Sequence, residues 1–208
     1  MIKTTALEGL CYWSRFQADR GIDFNGFLWI RPAGNLLLDP MQLDASELGF
    51  VRAKGGARWI LLTNFDHLRA TARLKEVLGA RVLAPAGERE RFGGDAALVD
   101  LWFETADDLP PDLKDDVEVH LIRGGKSPVE AALFLKPNGG LLFGDAVRSH
   151  VSGTLRLLPD EKLADRAAVV ASLQPLRALP VRGILLGDGD SIFYKGREAF
   201  EEFLNGLA

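Results

Sequence analysis

The sequence predicts a layered α/β (α+β) domain, and three observations carry that prediction. Short apolar runs of strand length recur along the chain, and segments of helical period stand between them in both halves. Nearly half the residues, 47%, are hydrophobic, with no linker, repeat or low-complexity tract to divide them. Strands and helices of this kind bury their apolar faces only by stacking in layers. For 208 residues one domain spanning residues 1–208 is the simplest count.

Taken in order, Phe24–Arg31 and Asn35–Asp39 are apolar runs joined by the turn-rich Pro32-Ala33-Gly34-Asn35, which predicts a hairpin. Ser46–Lys54 reads as a short helix ending near Gly55-Gly56. Trp59-Ile60-Leu61-Leu62 is continuously apolar and suits a buried strand. From Leu68 to Leu78 the period changes: Ala70, Leu74, Val77 and Leu78 share one helical face, and Gly79 ends it. Arg81–Ala84 makes the next strand. In the second half Val117–Ile122, Ala131–Leu135 and Leu141–Phe143 are strand candidates. A helix follows from about Asp165 to Leu173, where Pro175 disturbs it. Ile184-Leu185-Leu186 is a further buried strand and Arg197–Leu204 a closing helix, with Ile192-Phe193-Tyr194 before it as a packing strip or an interface.

Composition narrows the function classes. A net charge of −4 leaves no concentrated basic surface for nucleic acid. No run approaches the roughly 20 apolar residues of a membrane span. The opening residues lack the apolar block of a secretory signal, and a single cysteine, Cys11, cannot form an intrachain bridge. The expectation is a cytoplasmic protein whose partner is a small-molecule ligand, not nucleic acid or membrane; the oligomeric state is not written in the sequence.

Three aspartates follow apolar runs: Asp66 after Leu62, Asp145 in Leu142-Phe143-Gly144-Asp145, and Asp188 in Leu185-Leu186-Gly187-Asp188. Strands that deliver acidic groups to one edge can build a metal or catalytic site, and His67 adds an imidazole beside Asp66. Each residue also has a plain structural use. Asp66 is placed to cap the helix that follows, while Gly144-Asp145 and Asp188-Gly189 are common turn pairs. His120 and His150 read as incidental.

The order of these pieces resembles the metallo-β-lactamase superfamily. Ile60-Leu61-Leu62-Thr63 followed by Asp66-His67-Leu68-Arg69-Ala70 is similar to the family segment in which a strand and Thr lead into His-x-His-x-Asp-His and a helix. Only Asn64 and Phe65 stand between Thr63 and Asp66, so both histidines of that motif are missing. Gly124-Gly125-Lys126-Ser127-Pro128 resembles Pro-Gly-His-Thr-Pro, with Lys126 in the histidine position. Gly140–Asp145 resembles the strand ending in the bridging aspartate, and Ile184–Gly189 the late strand ending in Gly-His-Gly, with Asp188 for the histidine. Asn35–Asp39 resembles the upstream strand that carries an acidic residue.

The resemblance implies a four-layer αββα sandwich with a site at one edge of two sheets. In active members two metal ions activate a water for attack on an ester, amide or phosphoester. Carried over position by position, the first metal site keeps only Asp145. The second keeps four donors: Asp66, His67, Asp145 and Asp188. That set is harder than a histidine-rich one and implies at most one divalent ion, zinc, manganese, iron(II) or magnesium. Lys126 would sit where the first ion is lost; with one ion, three carboxylates and one lysine the local charge would be zero. Asp66 and Lys126 are the candidate catalytic residues, and Asn64, Phe65, Arg69 and Asp39 the candidate cleft lining. Arg69 either pairs with an acid or fills part of the cleft. Two functions compete: a protein with a degenerate site, non-catalytic or weakly active, that serves as a binding module, or a mononuclear hydrolase of small esters, thioesters or phosphoesters. Metal-free chemistry at Lys126 ranks last, because nothing in the sequence lowers its pKa.

Overall fold

Side chains alternate along a strand, so each strand offers two faces, and the fold follows from where those faces go. The computed structural model describes residues 1–207. Its first sheet runs in chain order through β1 (Lys3–Thr4), β2 (Leu10–Gln17), β3 (Ile22–Trp29), β4 (Leu36–Leu38), β5 (Trp59–Leu61), β6 (Arg81–Pro85) and β7 (Leu101–Phe103). The second half contributes β8 (Val117–Arg123), β9 (Val129–Leu135), β10 (Gly140–Phe143), the hairpin β11 (Val147–Val151) and β12 (Thr154–Leu157), and β13 (Gly183–Leu186). Of these, four form a second sheet in the order β13-β10-β9-β8. The helices are α1 (Ala45–Ala53), α2 (Thr71–Leu78), α3 (Arg89–Phe92), α4 (Pro111–Lys114), α5 (Arg166–Leu173) and α6 (Gly196–Asn205).

Three apolar clusters show the layering. Leu36, Leu38, Trp59 and Leu61 of the first sheet meet Leu133, Leu135, Leu142 and Leu185 of the second. The intervening residues point the other way. Leu37, Ile60 and Val82 pack under Val51 of α1 and Leu74 of α2. Leu141, Phe143, Ile184 and Leu186 pack under Val169 and Leu173 of α5 and Phe200 and Phe203 of α6. The architecture is α, β, β, α, as the resemblance implies.

The predicted hairpin exists, with Phe27 opposite Leu38 and Trp29 opposite Leu36, although its first strand begins earlier, at Ile22. The strand β2, which forms the longest antiparallel pair with β3, was not expected from the sequence. Its mixture of half-buried polar and aromatic residues hides the alternation. α1 begins on a reciprocal cap between Asp44 and Glu47. α2 differs from expectation. It starts at Thr71, not Leu68, because Arg69 adopts a left-handed backbone, φ 37°, and separates a single 3₁₀ turn, Phe65–His67, from the helix proper. The strip before α6 splits: Phe193 packs on Tyr12 with ring centres 4.9 Å apart, and Tyr194 is exposed.

The topology then fixes one edge. β4 and β5 are parallel, and so are β10 and β13. Their C-terminal ends deliver Asp39, Thr63 and Asn64, Asp145 and Asp188 to the same rim of the sandwich. The Ala131 amide donates to the Thr63 carbonyl at 2.8 Å and stitches the two sheets there.

Candidate functional site

Asp39 is the innermost acid of this rim and is wholly buried. Its carboxylate accepts from the Thr63 amide at 2.8 Å and the Thr63 hydroxyl at 2.6 Å, and Oδ2 lies 2.6 Å from Nδ1 of His67. Asp39 therefore orients the imidazole and does not line an open cleft. The 3₁₀ turn that carries His67 is capped by Asn64, whose Oδ1 accepts from the His67 amide at 3.1 Å. Asn64 takes the capping place that the sequence offered to Asp66. Asp39 (φ 44°) and Arg69 are two of the three non-glycine residues with positive φ among the described residues, so backbone strain gathers at this edge.

His67 directs Nε2 toward Asp145, whose Oδ1 is 3.6 Å away. His67, Asp145 and Asp188 are all buried and can each offer one ligand atom within 4.8 Å of the others. Asp66 does not join that cluster; of the four donors carried over from the resemblance, three come together. Asp66 instead turns outward, with Oδ2 2.5 Å from Nζ of Lys126 and Oδ1 accepting from Arg91 at 3.2 Å. Lys126 is 40% exposed and its ammonium is 3.9 Å from Asp145 Oδ2. Phe65 packs edge-on against Phe92 at 5.1 Å, beneath the Arg91 guanidinium.

The inner acids have cationic partners of their own. Arg69 Nη2 donates to Asp188 Oδ1 at 3.0 Å and lies 3.0 Å from His67 Nε2, while Nη1 donates to the Asn25 carbonyl at 2.8 Å. Arg69 is thus paired with an acid and lies against the imidazole. Arg148 Nη2 donates to Asp188 Oδ2 at 3.1 Å and approaches Asp145 Oδ1 at 3.8 Å. Arg148, Arg91 and Glu130 were not anticipated. Arg148 stands three residues after Asp145 on a strand, Arg91 comes from α3, and no local spacing rule marks either. Glu130 of β9 accepts from the Asp145 and Ala146 amides at 3.0 to 3.1 Å and so holds the turn after β10.

Titration follows these contacts. Burial and the Arg69 charge press His67 toward its neutral form, but Asp39 and Asp145 outweigh them and raise its pKa to about 10. A proton on Nε2 makes the 3.0 Å approach of Arg69 a crowded contact between cations, and Asp188 and the Asn25 carbonyl are what keep the guanidinium there. Burial raises Asp145, yet His67, Lys126 and Arg148 hold it well below the usual carboxylate range. Burial and the charge on Asp145 push Glu130 up to about 8. Of the crowded acids at this edge, it is Glu130, outside the three aspartates, whose carboxyl is driven toward its protonated form.

A family profile described as the metallo-beta-lactamase superfamily matches residues 2–207. The chain belongs to the metallo-β-lactamase superfamily. Solved structures of that superfamily share its fold. A metallo-β-lactamase from Pontibacter korlensis superposes with a TM-score of 0.74 at 14% identity, covering 100% of this chain and 99% of that one. An Erythrobacter litoralis enzyme with beta mercaptoethanol in the active site gives 0.70 at 17% identity, over 99% and 95% of the two chains. The FIM-1 enzyme of Pseudomonas aeruginosa, in its mono-zinc form, gives 0.69 at 18%, over 99% and 94%. No curated protein matches the chain in sequence. At the edge described above, His67, Asp145 and Asp188 are the residues that could together hold a metal ion. Among the described residues no helix is long and apolar enough to cross a membrane.

Proposed function

We propose that this protein is a metallo-β-lactamase-fold binding module whose metal centre has been replaced by internal ion pairs. One observation carries the reading: both carboxylate oxygens of Asp188 already accept from guanidinium groups, Oδ1 from Arg69 and Oδ2 from Arg148. The donor set therefore does not fit a divalent ion as it stands. Four cations equal the four acids in number but not pair by pair: Arg69 and Arg148 meet on Asp188, Arg91 and Lys126 on Asp66, and Asp39 pairs with His67. The neutral sum of one ion, three carboxylates and one lysine leaves out three arginines. With Arg69 and Arg148 in place, a divalent ion would add two uncompensated charges in a desolvated site, an expensive arrangement.

The part of the rim left to solvent is Lys126, Asp66, Arg91 and Phe65. A small-molecule ligand would meet two cations, one carboxylate and an aromatic ring there. We retain Asp66 and Lys126 as the residues of this edge that would touch such a ligand, and the cytoplasm as the proposed compartment on the strength of the unpaired Cys11.

A second reading, a mononuclear metal-dependent hydrolase of small esters, thioesters or phosphoesters, draws on the grouping of His67, Asp145 and Asp188 and on Asp145 Oδ2, which is buried without a hydrogen-bond partner. It requires both arginines to leave. Elemental mass spectrometry of protein purified without chelator or affinity metal, beside Asp145→Ala, separates the two. The binding-module reading expects no metal in either protein after incubation with zinc, manganese or iron(II), and no turnover of generic esters. About one ion per chain, lost in Asp145→Ala, would overturn it and favour the hydrolase.

A further inference from the structure

We infer that Arg69 and Arg148 together stand in for a divalent cation at His67, Asp145 and Asp188, and that removing both opens this cluster to a metal ion. The inference rests on the reading that the native protein binds no metal there. Its basis is that two nitrogen atoms lie within 3.8 Å of all three prospective ligands. Nη2 of Arg69 is 3.0 Å from both His67 Nε2 and Asp188 Oδ1. Nη2 of Arg148 is 3.1 Å from Asp188 Oδ2 and 3.8 Å from Asp145 Oδ1. Each therefore stands between two groups from different strand ends, in the place that a coordinated ion would take.

The exchange is balanced in charge. Two guanidinium groups carry the same charge as one divalent ion; an ion on His67 Nε2 also displaces the imidazole proton, so in a chain without both arginines the four acids are met by Arg91, Lys126 and one ion. Lys126 is bound to Asp66 on the outer side and leaves the balance unchanged. The arginines are also built in rather than draped over the site. Arg69 is 8% and Arg148 10% exposed at the side chain. Arg69 is fixed further by the Asn25 carbonyl and by the Phe24 ring, 5.1 Å from the guanidinium. Asp145 Oδ2, buried in the same cluster without a hydrogen bond and 3.9 Å from the Lys126 ammonium, gives an incoming ion an acceptor. One imidazole with two carboxylates suits zinc or manganese.

The test uses the full-length protein, the double variant Arg69→Ala/Arg148→Ala and the bulkier Arg69→Gln/Arg148→Gln. Each is incubated with zinc or manganese alone and desalted. Metal content is read by elemental mass spectrometry, folding by circular dichroism and Tm with and without metal. The wild type is expected to hold none, with an unchanged Tm. The double variants are expected to take up about one ion per chain, with a Tm that rises with metal concentration, and to lose it when Asp145→Ala is added. Folded double variants that bind no metal would overturn the inference, as would double variants that stay unfolded with metal present, since the charge-matched ion should restore them. Metal in the wild type would overturn the underlying reading, and this inference with it; failure confined to the double variants overturns only the inference.

Discussion

His67 Nδ1 lies 2.6 Å from Asp39 Oδ2, and both side chains are buried. Asp39 thus serves as an anchor for the whole edge: it ties the C-terminal end of β4 to Thr63 after β5 and to the turn that carries His67. Removing one member of a buried ion pair strands the other. Asp39→Ala is expected to cost about 3–5 kcal/mol, read as the shift of a urea unfolding curve at constant slope. A loss below about 1 kcal/mol would show that the contact carries no such weight.

Burial separates two cations of the same network. Arg148 is 10% exposed and Lys126 40%. Arg148→Met leaves Asp188 with one partner inside the protein and should destabilise by about 3 kcal/mol or more. Lys126→Met removes a pair that water screens and should cost about 1 kcal/mol or less. Equal costs measured by chemical denaturation would contradict this ranking.

Gly187 lies under the imidazole. A Cβ at that position would come within 2.3 Å of His67 Cε1, closer than side-chain carbons approach. Gly187→Ala should displace the ring and cost about 1–3 kcal/mol. The His67 imidazole signals in the NMR spectrum report the displacement directly, and signals identical to those of the wild type would refute it.

Away from the site, Glu47 supplies an acid-stability signature. Burial raises its pKa, but Arg15, the terminal ammonium and the Asp44 amide together lower it to about 2 from 4.5. The folded value lies below the unfolded one, so this contribution is complete above about pH 4.5 and disappears as the pH falls toward 2. Glu47→Gln should flatten stability against pH across that window and leave the neutral-pH slope unchanged. An unaltered acid limb in the variant would refute the assignment.

Much of the fold was legible because its signals are local. Leu36-Leu37-Leu38, Trp59-Ile60-Leu61 and Ile184-Leu185-Leu186 are buried on both faces, so an unbroken apolar run marks them without reference to any partner. The strand β2 was not legible, since a strand with one half-exposed face mixes polar and aromatic residues and loses contrast. The start of α2 was misplaced because the left-handed conformation of Arg69 is imposed by Asp188 and Asn25, which lie far away in sequence.

The site divides along the same line. Sequence alone carried the resemblance to the metallo-β-lactamase layering, set acids at the ends of β4, β10 and β13, and placed Asn64 and Phe65, not histidines, before Asp66-His67. Each of these is a statement about residue type at a position. Only the tertiary structure decided which charges meet: that Asp66 turns to Lys126 and Arg91, that Asp39 holds His67, and that Arg69 and Arg148 converge on Asp188. Ion pairing depends on distances of a few ångströms between side chains tens of residues apart, and no local pattern encodes such distances.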